Sequence, residues 1–183
     1  MRSCGYSRGL VFLNGEELVV DTAKVTLLIP IKNGERYLET SLANLRASAR
    51  SHDEVLIIDD NSEDSTFKMV EEWCRLNTNF KLLMNPGAGL VDALNYGISQ
   101  ASGSWIARYD VDDTYSQSRI FKQVEQITEN VVAVFSDYTF RDYRGRFLGS
   151  ICSSLTRDIN GKVSGLFDKS HEHSCLSLLS LRL

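Results

Sequence analysis

From Val25 onward, apolar and polar positions come in blocks of repeating length. Residues 25–29 form a short apolar run ending at Pro30, the pattern of a strand buried on both faces. Between residues 35 and 49, Tyr37, Leu38, Leu42, Leu45 and Ala49 recur at three- and four-residue spacing, which predicts a helix with one apolar face. Residues 55–58 predict a second strand, with Asp59-Asp60 directly after it. Asn61 or Ser62 is expected to cap a helix that runs to about Leu76 and turns Phe67, Val70 and Trp73 inward. A third strand over 80–84 precedes the turn Asn85-Pro86-Gly87, and a third helix covers 90–101. A fourth strand over 104–109, a fourth helix over 117–128 and a fifth strand over 131–135 complete the series.

Such short βα units predict an α/β fold: three layers, α/β/α, around a mainly parallel sheet. Sheets of this kind bind ligands beyond the C-terminal ends of their strands. The polar clusters fall at those ends: Asn33, Asp59-Asp60, and Asp110-Val111-Asp112-Asp113. The flanks read differently. Residues 1–23 form an extension in which Leu10–Leu13 and Leu18–Val20 flank Asn14-Gly15, a hairpin signal. A second hairpin is expected over 138–149 around Arg144-Gly145, then loop over 150–170 and a Ser/Leu-rich tail over 175–183. The expected organisation is an extension (1–23), a ligand-binding domain (24–137) and an incomplete region (138–183).

Composition narrows the function classes. The chain of 183 residues, with 43% apolar and 24% charged positions, is long enough for one real core. Its net charge of −4 lacks the basic footprint of a nucleic-acid binder. Cys4, Cys74, Cys152 and Cys175 are scattered with no CxxC pair, which argues against a zinc knuckle and for a reducing compartment. No apolar run approaches the roughly 20 residues of a spanning helix. A cytoplasmic protein is expected, with peripheral membrane contact left open.

The acidic run over 110–113 packs carboxylates whose repulsion a divalent cation would relieve. Magnesium or manganese takes such oxygens together with substrate phosphates. The competing reading is a solvated turn whose aspartates cap the next helix. Asp59 or Asp60 is placed to accept hydrogen bonds from a base or ribose hydroxyl, or else Asp60 or Asn61 caps the helix that follows. A phospho-receiver domain also carries an acid pair and a later aspartate. Here, however, a full βα unit precedes the pair, and Ser136-Asp137 rather than a lysine follows Phe135.

Four stretches together carry a resemblance: VTLLIPIKNGERYLETSL (25–42), EVLIIDDNSEDST (54–66), NPGAGLVDALNYGISQASGSWIARYDVDD (85–113) and SRIFKQVEQI (118–127). In order and spacing they resemble family 2 glycosyltransferases of the GT-A fold over roughly residues 25–137. The resemblance implies inverting transfer from a nucleotide-diphosphate sugar to an acceptor hydroxyl, with Mn2+ or Mg2+, in the setting of cell-envelope polysaccharide synthesis. It puts Pro30, Asn33, Asp59, Asp60 and Asp112 around the donor nucleotide. Leu90, Asn95 and Arg108 fall near the sugar, and Asp110, Asp112 and Asp113 at the metal, with Asp113 the foremost ligand. Lys32 departs from the family's usual Tyr-Asn and is expected to be solvated, with approach to the donor phosphates as the alternative. The acceptor (glycan, lipid or protein) and the catalytic base are not legible. Glu172-His173-Ser174 resembles the start of the acceptor-side segment, and the tail beyond reads as a truncated or frame-shifted end. His173 is a candidate to complete the metal shell, and a His171/Glu172/His173/Cys175 cluster is a lesser one. The arginines over 141–146 are expected to form a solvated face, with an anionic acceptor or membrane surface as the alternative. A non-catalytic nucleotide-sugar-binding remnant is the other reading of the same fold.

Overall fold

A computed structural model of the protein describes residues 8–13, 16–21, 23–51, 53–127, 131–136, 138–142, 144, 146–151, 155–158, 163–165 and 180–182. The first two strands, β1 (Arg8–Leu13) and β2 (Glu16–Asp21), pair antiparallel with Leu13 opposite Glu16. The main series follows: β3 (Val25–Ile31), α1 (Glu35–Ser48), β4 (Glu54–Asp59), α2 (Thr66–Leu76), β5 (Phe80–Met84), α3 (Leu90–Gln100), β6 (Trp105–Arg108), α4 (Arg119–Glu125) and β7 (Val131–Val134). Beyond it lie β8 (Tyr138–Arg141), β9 (Phe147–Ile151), β10 (Leu155–Asp158), β11 (Val163–Gly165) and β12 (Ser180–Arg182).

The large sheet has the order β11-β10-β7-β12-β6-β3-β4-β5. Strands β6, β3, β4 and β5 are parallel, and every pairing from β6 outward through β12 is antiparallel. The alternating residues of β3 and β4 separate two cores. Leu27, Ile29, Val55 and Ile57 face α1, α2 and α4 through Leu42, Val70 and Ile120. Leu28, Leu56 and Ile58 face α3 through Ala93. Both sides of these strands are therefore dry, which is why they read as unbroken apolar runs.

Pro30 lies in a central strand, where a residue without an N–H is normally costly. Its neighbour β6 pairs with β3 only as far as Arg108 opposite Leu28, and the Tyr109 amide then donates to the Leu28 carbonyl. On the β6 side, Pro30 lies past the last rung, so no ladder bond is lost. On the opposite face α3 comes close. A methyl group on Gly97 would stand 2.3 Å from Leu28 Cδ1, so only glycine allows this approach without displacement.

Several expectations are corrected. Helix α2 starts at Thr66, not after Asn61 or Ser62. Asp59 Oδ2 accepts the Ser62 amide at 3.0 Å and Asn61 adopts φ 56°, so this stretch is a tight turn. Asp64 Oδ1 then accepts the Thr66 amide at 2.9 Å. Neither Asp60 nor Asn61 caps the helix. Phe67, one residue into it, is 37% exposed rather than inward-facing; Val70 is buried as expected. Helix α4 covers Arg119–Glu125, shorter than 117–128. The stretch expected as loop over 150–170 contributes β10 and β11, and the tail contributes β12 between β6 and β7. Backbone pairing, not side-chain pattern, puts these strands in the sheet. Among the described residues, no helix is long and apolar enough to cross a membrane.

Candidate functional site

Four loops meet at the C-terminal ends of the parallel strands. The ladder extends past each strand end: the Asp60 amide donates to Ile31 O and the Asn85 amide to Asp59 O, both at 2.8 Å. The loops after β3 and β4 are clamped together. Asn33, at φ 50°, donates its amide to Ser62 Oγ and accepts the Glu63 amide on Oδ1. Gly34 donates to Thr66 Oγ1 and Glu35 to Asp64 Oδ2. The leading amides of α1 and α2 are thus met by side chains of the chain itself.

Asp60 organises the third loop. Its Oδ1 accepts from Asn85 Nδ2 at 2.7 Å and from the Gly89 amide at 2.9 Å, and Gly89 also reaches Oδ2. Lys32 Nζ stands 3.7 Å from Oδ2 while remaining about half exposed, so it is partly solvated, as expected, and also an ion-pair partner. Burial alone would raise the Asp60 pKa. The bonds from Asn85 and Gly89 and the charge of Lys32 outweigh it and hold the carboxyl below its ordinary value. Gly89 itself requires φ 85°, a conformation open to glycine. Asp59 is fully buried, its Oδ2 on Ser62 and its Oδ1 without a partner among the described residues.

The acidic run forms a turn in which the Asp113 amide donates to Asp110 O at 3.2 Å. The Tyr115 hydroxyl accepts the Asp110 amide at 2.7 Å and lies 3.4 Å from Asp113 Oδ2. Arg108 donates through Nε and Nη2 to Asp110 Oδ1 at 3.0 and 2.8 Å. Asp112 is exposed and takes no hydrogen-bond partner among the described residues. Val111 tucks inward toward Gly34, where a Cβ would lie 3.3 Å from its Cγ1, so the acidic turn abuts the loop after β3. Leu90, at the start of α3, is half exposed beside Gly89, and Asn95 is exposed further along that helix.

The structure thus gathers Pro30, Asn33, Asp59, Asp60, Asp110, Asp112 and Asp113 on one edge of the sheet, with Arg108 bound into the acidic turn. Among the described residues no group of three or more His, Cys, Asp or Glu side chains forms a closed metal cage. His52, His171, Glu172, His173, Cys152 and Cys175 lie outside the described residues.

Residues 26–181 match the family described as Glycosyl transferase family 2. The chain belongs to that family. EpsH of Bacillus subtilis (strain 168) is 34% identical to this family 2 chain over 94 residues, which cover 51% of this chain and 27% of EpsH. Glycosyltransferase GlyA of Streptococcus pneumoniae is 26% identical over 126 residues, covering 68% of this chain and 18% of GlyA. The chain therefore spans less than a third of either relative's length. Among solved structures, mannosyltransferase PcManGT from Pyrobaculum calidifontis, in complex with GDP-Man and Mn2+, matches with a TM-score of 0.57. Its identity is 23%, over 67% of this chain and 36% of that one. TarS 1–349 of S. aureus in complex with UDP-GlcNAc matches with a TM-score of 0.55 at 23% identity, covering 69% and 37%. These likenesses show the fold, the GT-A arrangement.

Side chains to which the sequence assigns no role hold this candidate site together. Asn85 and Gly89 fix Asp60, and Tyr115 and Arg119 back the acidic turn. The Asn-Pro-Gly turn and the stretch around Arg119 are visible in the sequence, but nothing in one sequence says which side chains turn inward.

Proposed function

We propose that this family 2 domain binds a nucleoside-diphosphate sugar across the loops after β3, β4, β5 and β6, and serves inverting, metal-dependent transfer of the sugar to an acceptor hydroxyl. The observation that carries the reading is electrostatic. Helix N-termini are the usual cationic ends for a diphosphate, yet here the chain's own side chains take several of the amides at and just before the starts of α1, α2 and α3. Asp64 takes the Glu35 amide, Glu35 the Ser65 amide, Asp60 the Gly89 amide and Asp92 the Ala88 amide. Arg108 is bound to Asp110. A diphosphate at this edge would find these donors already taken, while exposed Asp112 adds negative charge beside it.

A divalent cation reconciles the two. The donor set is carboxylate oxygen throughout, which suits magnesium or manganese, and such ions commonly take only one or two carboxylates with the remainder from phosphate and water. Asp112 and Asp113 would hold it, with Asp110 kept oriented by Arg108 and Tyr115. When bound, the ion neutralises charge on the departing diphosphate. Pro30, Asn33 and Asp59-Asp60 would border the nucleoside, and Leu90, Asn95 and Arg108 the sugar. PcManGT with GDP-Man and Mn2+ and TarS with UDP-GlcNAc support this choice of donor class.

The test is calorimetric titration of the chain with UDP, GDP and dTDP, with and without manganese, repeated on Asp112→Asn and Asp113→Ala. The expected result is manganese-dependent binding of one nucleotide, weakened in both variants. Binding equally tight without metal would remove the metal role. No binding by any of the three to a folded chain would remove the donor-site reading.

A further inference from the structure

Arg119 is 3% exposed, yet no carboxylate lies within ion-pair distance of it among the described residues. Its guanidinium carbon stands 4.4 Å from the ring centre of Tyr109 and 4.7 Å from that of Tyr115. Those two rings are themselves 4.1 Å apart. One nitrogen, Nη2, donates to the Arg108 carbonyl at 3.0 Å, while Nε and Nη1 have no hydrogen-bond partner among the described residues. A buried cation without a counter-ion is costly. Two aromatic faces offset part of that cost, and only a planar guanidinium can lie against both.

What this cation touches is the support of the acidic turn. Arg108, whose carbonyl it binds, holds Asp110 through its own side chain. Tyr115, whose ring it stacks on, takes the Asp110 amide and reaches Asp113. Tyr115 is anchored from the other side by Asn44 Nδ2, which donates to its backbone carbonyl at 3.0 Å. We propose that Arg119 is a positioning residue: together with Tyr115 it fixes the turn at Asp110–Asp113 in the conformation that receives the cation. The metal part of this inference rests on the donor-site reading above; the positioning part does not.

Two readouts on the full chain keep them apart. In Arg119→Met, which preserves bulk and removes the planar charge, hydrogen exchange at the Asp110–Asp113 amides should accelerate about tenfold or more, with β4 amides unchanged. Manganese affinity should fall about 10- to 100-fold, the usual effect of losing support behind a metal ligand. Tyr115→Phe, which removes only the hydroxyl, should reproduce the local acceleration and serves if Arg119→Met does not fold. Unchanged exchange in the acidic turn of a folded variant would overturn the proposal. So would equal acceleration in β4, which would make Arg119 an ordinary core residue. Local acceleration in a chain that never binds manganese would uphold the positioning role and overturn the metal reading.

Discussion

Glu54 shows how much work one buried carboxylate does at the end of the sheet remote from the site. It accepts from Lys81 Nζ and Thr26 Oγ1, each at 2.7 Å, and from the Ser102 amide at 2.8 Å. Burial alone would raise its pKa; the bonds from Lys81, Ser102 and Thr26 overcome burial and hold it down to about 2, against an ordinary 4.5. The sign follows from linkage. A carboxyl depressed in the folded state contributes stability above its ordinary pKa and loses it as pH falls through the depressed one. Glu54→Gln should therefore lower stability by about 1–3 kcal/mol at pH 7. It should also flatten the pH dependence between 4.5 and about 2. Urea unfolding at pH 7 and pH 3 measures both: the variant should lose less than the wild type on acidification. At this scale the sequence was only half legible. It singled out Asp59-Asp60 and the acidic run as polar strand ends, because carboxylates after a buried strand stand out. It did not single out Glu54, Asn85 or Arg119, whose roles depend on partners 25 or more residues away or on burial that no local pattern records.

Among the elements, α3 lies close against β3 and β4 at Gly97. A methyl group on Gly97 would stand 2.3 Å from Leu28 Cδ1 and 3.1 Å from Ile58 Cγ1. Gly97→Ala should gain about 1 kcal/mol in helix propensity and lose about 1–3 kcal/mol to overpacking. The expected outcome is net destabilisation, read as a lower midpoint in urea with an unchanged slope. The helices and the parallel strands were legible because apolar residues recur with period 3.6 or in unbroken runs. The start of α2 was not, since a turn built on Asp59 and Asn61 mimics the residue types of a helix cap. Strands β10 to β12 were not legible either: Leu-Thr-Arg-Asp, Val-Ser-Gly and Ser-Leu-Arg lack the β-branched alternation that marks a strand.

For the molecule as a whole, the site joins loops from four strands into one edge, so filling it should be felt throughout the domain. A ligand that binds only the folded state adds about 2.7 kcal/mol at a hundredfold excess over its dissociation constant. Manganese with the preferred nucleoside diphosphate should thus raise the unfolding temperature by several degrees, roughly 4–8 °C per kcal/mol in small domains and less in larger ones. Manganese alone should give a smaller but measurable shift, and Asp112→Asn should remove most of the combined shift. A thermal melt in the four conditions checks this; an equal shift in the variant would separate the stabilisation from Asp112. The parallel half of the sheet was foreseen because βα units announce their direction. The antiparallel half was not, because antiparallel partners distant in sequence leave no periodic trace.

The clamp between the loops after β3 and β4 has a consequence for chemical ageing. Asn33 is followed by Gly34, the pair most prone to spontaneous deamidation, in which the glycine nitrogen attacks the asparagine side chain. In the folded chain that nitrogen donates to Thr66 Oγ1, and the Asn33 side-chain oxygen is held by the Glu63 amide. Both reacting groups are restrained, so the reaction must wait for the clamp to open. A stored sample that accumulates aspartate or isoaspartate at Asn33 would therefore keep a cumulative record of how often the loops around the site have come apart.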